Sequence, residues 1–152
     1  MTTRLDPFAI PSNMLQLFID FSTKVANAGL EKPLVELVKI RASQINGCGI
    51  CLHMHTREAR QSGESEERLF MLDAWRESSL YSAREGAALA WTEALTRLVE
   101  TRAPDDAYAE MMSCFSNEES LQLTMLINVI NSWNRIGVGY RRAHPRSERK
   151  AA

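Results

Sequence analysis

The sequence predicts an all-α fold, a single compact multi-helix domain. Three observations carry that prediction. Apolar residues recur at spacings of three and four along most of the chain. Helix start and stop signals punctuate it, whereas the alternation of a half-buried strand does not appear. The chain has 152 residues, one domain's worth, enough to bury roughly 70% of the surface an extended chain exposes without metal or disulfide support.

Each helix has its own warrant. Ser12 caps a first helix with Met14, Leu15, Leu17, Phe18, Phe21 and Val25 on one apolar stripe, ending near Gly29. Pro33 suits a first helical turn, and Leu34, Leu37, Val38, Arg41 and Ile45 follow in helical register over 33–45. Asn46-Gly47 breaks that helix, and a third runs from about Cys48 to Gln61, stopped by Ser62-Gly63. Residues 65–72 form a short fourth helix with Glu66 and Glu67 in its first turn, and 73–81 is a connection. Ser82-Ala83-Arg84-Glu85 is a capping box that opens an Ala-rich helix to about Glu100. Pro104 starts a short helix to Cys114. Ser116-Asn117-Glu118-Glu119 is a second capping box, followed by Leu121, Leu123, Met125, Leu126, Ile127, Val129 and Ile130. This last helix lacks a strong polar face, so it is buried on more than one side, in the core or against a partner subunit, and is expected to contribute to an oligomer interface. Residues 1–32 form a lead-in and first helix, 33–140 the helical core of the same domain, and 141–152 a basic tail.

Composition narrows the class. Hydrophobic residues are 45% and charged residues 24%, which excludes a disordered chain. No apolar run approaches the ~18 residues of a membrane span. A net charge of −1 offers no electrostatic case for nucleic acid or a membrane surface. Only the tail is biased, with Arg141, Arg142, Arg146, Arg149 and Lys150 against Glu148, and it reads as a solvated terminus. An early Asp6-Pro7 and no apolar h-region point to a cytoplasmic protein. Three cysteines are too few for a secreted disulfide framework, leaving metal binding, redox chemistry or packing.

The informative segment is Cys48-Gly49-Ile50-Cys51-Leu52-His53-Met54-His55. On a helix beginning near Cys48, Cys51 and His55 are related by i,i+4 and share a face, within reach of a thiol–imidazole hydrogen bond. His53 lies about 200° round the helix from Cys51 and points elsewhere. A helix start favours a thiolate, the nucleophile toward a peroxide or disulfide, and a second thiol nearby converts a sulfenic acid to a disulfide. The same residues also suit three ligands of a zinc site, with Cys114 or His144 as a fourth, or plain packing.

With Glu36 twelve residues before Cys48, and with Lys39, Ser43, Asn46-Gly47-Cys48, Cys51 and His55, the chain resembles the core motif of the alkyl hydroperoxidase D (AhpD)-like proteins of the carboxymuconolactone decarboxylase superfamily. The resemblance extends to Ala74-Trp75-Arg76-Glu77, to 84–95 around Ala90-Trp91-Thr92-Glu93, and to Asn131-Ser132-Trp133-Asn134-Arg135. It implies an antioxidant thiol peroxidase that reduces hydrogen peroxide or small organic hydroperoxides. Cys51 would be the peroxidatic cysteine, Cys48 the resolving one, and His55 and Glu36 a proton relay. It also implies an all-α trimer or hexamer, no metal or cofactor, and a thiol or dithiol reductant, either a lipoyl protein or thioredoxin-like. The founding enzyme has a further histidine where this chain has Ile50. Two other readings stand beside it: a thiol–disulfide relay or redox-sensing protein, and the superfamily's lactone decarboxylase chemistry, which needs no thiols and whose branch lacks the cysteine pair.

Plainer roles remain for the other candidates. Glu36 also suits a surface ion pair with Lys39 or Lys32. Cys114 and the methionines read as packing. Trp75, Trp91 and Trp133 read as core or interface anchors, Arg76 and Arg135 as locks on helix junctions, and His53 and His144 as residues outside the chemistry.

Overall fold

The computed structural model of the chain describes residues 2–145. Among these, eight α-helices follow one another and no strand occurs: α1 (Met14–Ala26), α2 (Lys32–Asn46), α3 (Gly49–Gln61), α4 (Glu66–Met71), α5 (Ala83–Thr96), α6 (Leu98–Thr101), α7 (Asp105–Cys114) and α8 (Asn117–Gly139). Short 3₁₀ turns span Pro7–Ala9 and Leu72–Glu77. None of these helices is long and apolar enough to cross a membrane.

Local chemistry explains the boundaries. Both capping boxes form, with Ser82 and Glu85, and Ser116 and Glu119, each satisfying the other's backbone N–H. The Ser116 backbone N–H and Arg84 hold the Glu119 carboxyl down at about 2. Two boundaries differ from the sequence reading. The Ala-rich helix stops at Thr96, because Arg97 leaves helical geometry and α6 restarts at Leu98, its Thr101 hydroxyl donating back to the Ala94 carbonyl at 2.6 Å. The fourth helix ends at Met71, and the expected connection over 73–81 begins as part of a 3₁₀ turn, Leu72–Glu77, that buries Leu72 and Trp75, with Trp75 lying against Gly86 of α5.

α2 is the hub. It packs on α3, α5 and α8, and Leu37, Val38, Ile40 and Ala42 have almost no exposed surface. α8 runs across the domain and meets α1, α2, α3, α5 and α7, burying Leu123, Leu126, Ile127 and Ile130. Most of its apolar residues are thus covered within the protomer, while Leu121 and Val138 stay 63% and 48% exposed. A further exposed apolar stripe lies on α1, where Met14, Leu17 and Phe21 are 71%, 60% and 42% exposed. Of the basic tail, Arg146, Glu148, Arg149 and Lys150 lie outside the described residues. Arg142 does not behave as a solvated terminus, because its guanidinium stacks over the Phe8 ring at 4.2 Å.

A buried ion pair ties α2 to α5. Arg41 Nε donates to Glu93 Oε1 at 2.8 Å, Trp75 Nε1 donates to the same oxygen at 2.9 Å, and Arg76 takes Oε2. Asp73 and Gln44 accept from the rest of the Arg41 guanidinium. Removing one partner leaves a buried charge without compensation. Glu93→Ala is therefore expected to destabilise the fold by about 3–5 kcal/mol, read as a lowered urea midpoint.

Candidate active site

The site is built on the turn between α2 and α3. Gly47 adopts a left-handed conformation with φ of 64°, which lets the Gly47 N–H reach the Gln44 carbonyl and the Cys48 N–H reach the Ser43 carbonyl. This is a Schellman closure, and it turns the chain so that Cys48 becomes the N-cap of α3. A ladder of amides pins the turn to α8. Asn46 Nδ2 donates to Asn131 Oδ1 and to Asn134 Oδ1, both at 2.9 Å, and Asn134 Nδ2 donates to the Ser43 hydroxyl at 2.9 Å. Asn131 Nδ2 in turn donates to Thr96 Oγ1 at 3.0 Å. Buried amides satisfied in this way hold one geometry, because any shift strands a polar group out of water.

Cys48 and Cys51 are joined as a disulfide, with Cα atoms 5.4 Å apart. Both are buried, at 1% and 7% exposed. They press on α8 at Gly137, where a Cβ would stand 2.7 Å from the Cys48 sulfur and 3.1 Å from Ile50 Cγ2. Glycine is what allows this approach.

His55 lies one turn beyond Cys51 on α3. Its Nδ1 is 3.0 Å from Glu36 Oε2 and 3.1 Å from Glu58 Oε2. Glu36 is 4% exposed, and its other oxygen accepts from Lys39 Nζ at 2.8 Å. Burial alone raises the Glu36 carboxyl, but the hydrogen bonds and charges of His55 and Lys39 outweigh it and hold the group below its ordinary value of 4.5. With Nδ1 engaged by carboxylates, Nε2 is the ring nitrogen left for the thiol or substrate.

A cavity of about 380 Å³ lies between α1, α3 and α8. Cys51 and His55 stand in its wall beside Met54, Ile130 and Trp133, and Cys48 does not. The predicted site residues Glu36, Cys48, Cys51 and His55 therefore fall in one place. The other candidates do not join them. His53 stacks on His144 with ring centroids 5.4 Å apart. Cys114 sits at the end of α7, its sulfur 3.6 Å from the Ser113 hydroxyl. Trp75 and Trp91 are in the core.

Trp133 anchors α1 on α8, through Phe18 at 4.7 Å and a hydrogen bond to the Ser22 hydroxyl at 2.9 Å, and it also lines the cavity. Glu58, Gly137 and Arg142 were not singled out by sequence. Glu58 is three residues after His55, a helical neighbour spacing. Gly137 is an unexplained glycine inside an apolar helix, a pattern that signals close packing. Arg142 carries no local signal.

As for metals, the two thiols of a zinc reading are bonded to each other. Ligand atoms of Glu36, His55 and Glu58 do lie within 4.8 Å of one another, but Lys39 already supplies a positive charge to Glu36.

This fold, with a buried CxxC disulfide at a helix start and a His–Glu pair beside it, defines an AhpD-like helical thiol protein. The chain belongs to the carboxymuconolactone decarboxylase family, whose model matches residues 13–94. It is 37% identical over 138 residues to the uncharacterized protein YdfG of Bacillus subtilis, covering 91% of this chain and 94% of that one. A shorter match, 42% identical over 45 residues, links it to the alkyl hydroperoxide reductase AhpD of Rhodospirillum centenum, covering 30% of this chain and 24% of that enzyme. A crystal structure from Agrobacterium tumefaciens superposes with a TM-score of 0.91 at 41% identity, covering 96% of this chain and 100% of that one. That protein is of unknown function and provisionally named an antioxidant defence protein AhpD.

Two expectations follow from the geometry. Gly137→Ala forces a methyl group against the buried disulfide and should cost about 1–3 kcal/mol, seen as a lowered thermal midpoint. Gly139→Ala, where nothing lies within 4 Å, should not. Because the folded Glu36 carboxyl sits below 4.5, the folded state holds this proton less readily than the unfolded chain. Its contribution is full above the ordinary value and is lost as the pH falls through the folded one, so Glu36→Gln should flatten the acid limb of a stability–pH profile.

Proposed function

We propose that the protein is a thiol peroxidase that reduces hydroperoxides through a Cys48–Cys51 dithiol–disulfide cycle. The observation that carries this reading is the asymmetry of the site: the cavity reaches Cys51 and the carboxylate-held His55, while Cys48 stays bonded behind them.

In the reduced protein, His55 takes the proton of the Cys51 thiol. The thiolate attacks one oxygen of the hydroperoxide, an S–O bond forms, the O–O bond breaks, and the departing alkoxide takes the proton from His55 to leave as the alcohol. The Cys48 sulfur then attacks the Cys51 sulfenic acid, forming the disulfide and releasing water. Two thiols are oxidised and one hydroperoxide is reduced. A dithiol reductant returns the pair to thiols by exchange, which a reducing compartment such as the cytoplasm supports. Glu36 fixes the His55 tautomer and stabilises the imidazolium, with Lys39 holding the carboxylate in place. The family's antioxidant naming in Agrobacterium tumefaciens supports the same reading. Assembly as a trimer or hexamer belongs to this proposal too, and the exposed α1 stripe of Met14, Leu17 and Phe21 supports it.

One equivalent of peroxide added to the reduced protein, followed by thiol titration and mass spectrometry, should remove the two thiols of Cys48 and Cys51 and leave Cys114. Cys51→Ser should consume no peroxide, and a full rate in that variant overturns the proposal. Cys48→Ser should stop at a Cys51 sulfenic acid and over-oxidise faster. His55→Ala should lower kcat/KM by about 100- to 10,000-fold. Exchange only with protein disulfides would favour a redox relay, and lyase activity surviving the loss of both cysteines would favour lactone decarboxylation.

A further inference from the structure

Resting on that reading, we infer that the site is selective for organic hydroperoxides that carry a carboxylate, of fatty-acid type, with the chain in the apolar cavity and the carboxylate on Arg142.

Cys51 stands in the wall of a cavity of about 380 Å³, the size of a small organic ligand rather than of hydrogen peroxide. Most of the wall is aliphatic or aromatic, from Ile19 of α1 and Leu126, Val129, Ile130 and Trp133 of α8. Such a surface gains by taking apolar area out of water, which a small polar peroxide cannot supply.

The charges in the wall are placed unequally. Lys39, His55 and Glu58 belong to the relay. Arg142 does not. It also lines the cavity, and among the described residues no carboxylate lies within ion-pair distance of it. It is anchored at both ends, with the backbone N–H donating to the Gly137 carbonyl at 2.9 Å and the guanidinium lying over Phe8. A Cβ on Gly137 would meet both cysteine sulfurs, so this anchor ties Arg142 to the part of α8 that packs on the reacting centre of α3. A guanidinium stacked on one face keeps its edge N–H groups free to bind a carboxylate with two parallel hydrogen bonds. A substrate with an acid group and an apolar chain satisfies both features at once. The chemistry at Cys51 is unchanged: the hydroperoxide gains two electrons and leaves as the hydroxy acid, while Cys48 and Cys51 become the disulfide.

The test compares the 9- and 13-hydroperoxides of linoleic acid with their methyl esters, which share the chain and lack the charge, and uses cumene hydroperoxide as a neutral reference. The wild type is expected to show at least a tenfold higher kcat/KM for one or both free acids than for the matching ester. Arg142→Gln should bring that ratio close to one, and Arg142→Lys should restore part of it. Calorimetric titration of the oxidised protein with decanoic acid and with methyl decanoate gives a readout independent of turnover: the acid should bind more tightly, and the difference should vanish in Arg142→Gln. Equal rates for acid and ester, with cumene hydroperoxide still consumed, overturn this inference and leave the peroxidase reading standing. No consumption of any hydroperoxide overturns the peroxidase reading, while the acid-over-ester difference in binding still decides the role of Arg142.

Discussion

The constraint on which the site depends is the junction of α2, α3 and α8, held by the Asn46 amide. Asn46 bridges Asn131 and Asn134 on α8 while the next residue, Gly47, turns the chain into α3. Buried amides tolerate little displacement, since each lost bond leaves a group that neither water nor protein can satisfy. The consequence is a fixed start for α3 and a fixed distance between that start and α8. Gly137 leaves room for the sulfurs, since a Cβ there would stand 2.7 Å from that of Cys48 and 3.6 Å from that of Cys51. Position along α3 then follows from helix geometry, with Cys51 in the first turn and His55 one turn on, facing Glu36 of α2.

Two buried carboxylates on either side of α2 show how similar groups are given different work. Glu93 is met by Arg41, Arg76 and the Trp75 indole. Guanidinium groups do not release protons at any pH the fold survives, so that cluster can only hold α2 and α5 together. Glu36 is met by Lys39 and by His55. An imidazole can gain and lose a proton near neutrality, and this second cluster sits at the cavity instead of behind the helices. The difference between a strut and a relay is the identity of one neighbour and its access to the cavity.

Much of this was readable from residues near one another in sequence. Capping boxes, the Asn46-Gly47 stop and the spacing of Cys48, Cys51 and His55 are local, and local rules found them. The resemblance on Glu36 added the one long-range partner of the relay. What sequence reading missed depends on tertiary placement. The apolarity of α8 left core and partner subunit both open, because its contacts with five other helices are not visible along the chain. Trp133 looked like any core tryptophan until α1 was laid beside it. Arg142 looked like a member of a charged tail, since its Phe8 partner is 134 positions away.

The burial of the sulfurs also constrains what can regenerate them. Cys48 and Cys51 are the N-cap and third residue of α3 and are bonded while the helix is intact, so on the proposed cycle neither forming nor reducing the disulfide requires α3 to melt. Yet both residues are almost fully covered, and thiol exchange needs a nucleophile in line with a sulfur. Of the two sulfurs only that of Cys51 belongs to a residue lining the cavity, so any reductant that acts without opening the fold meets Cys51 first.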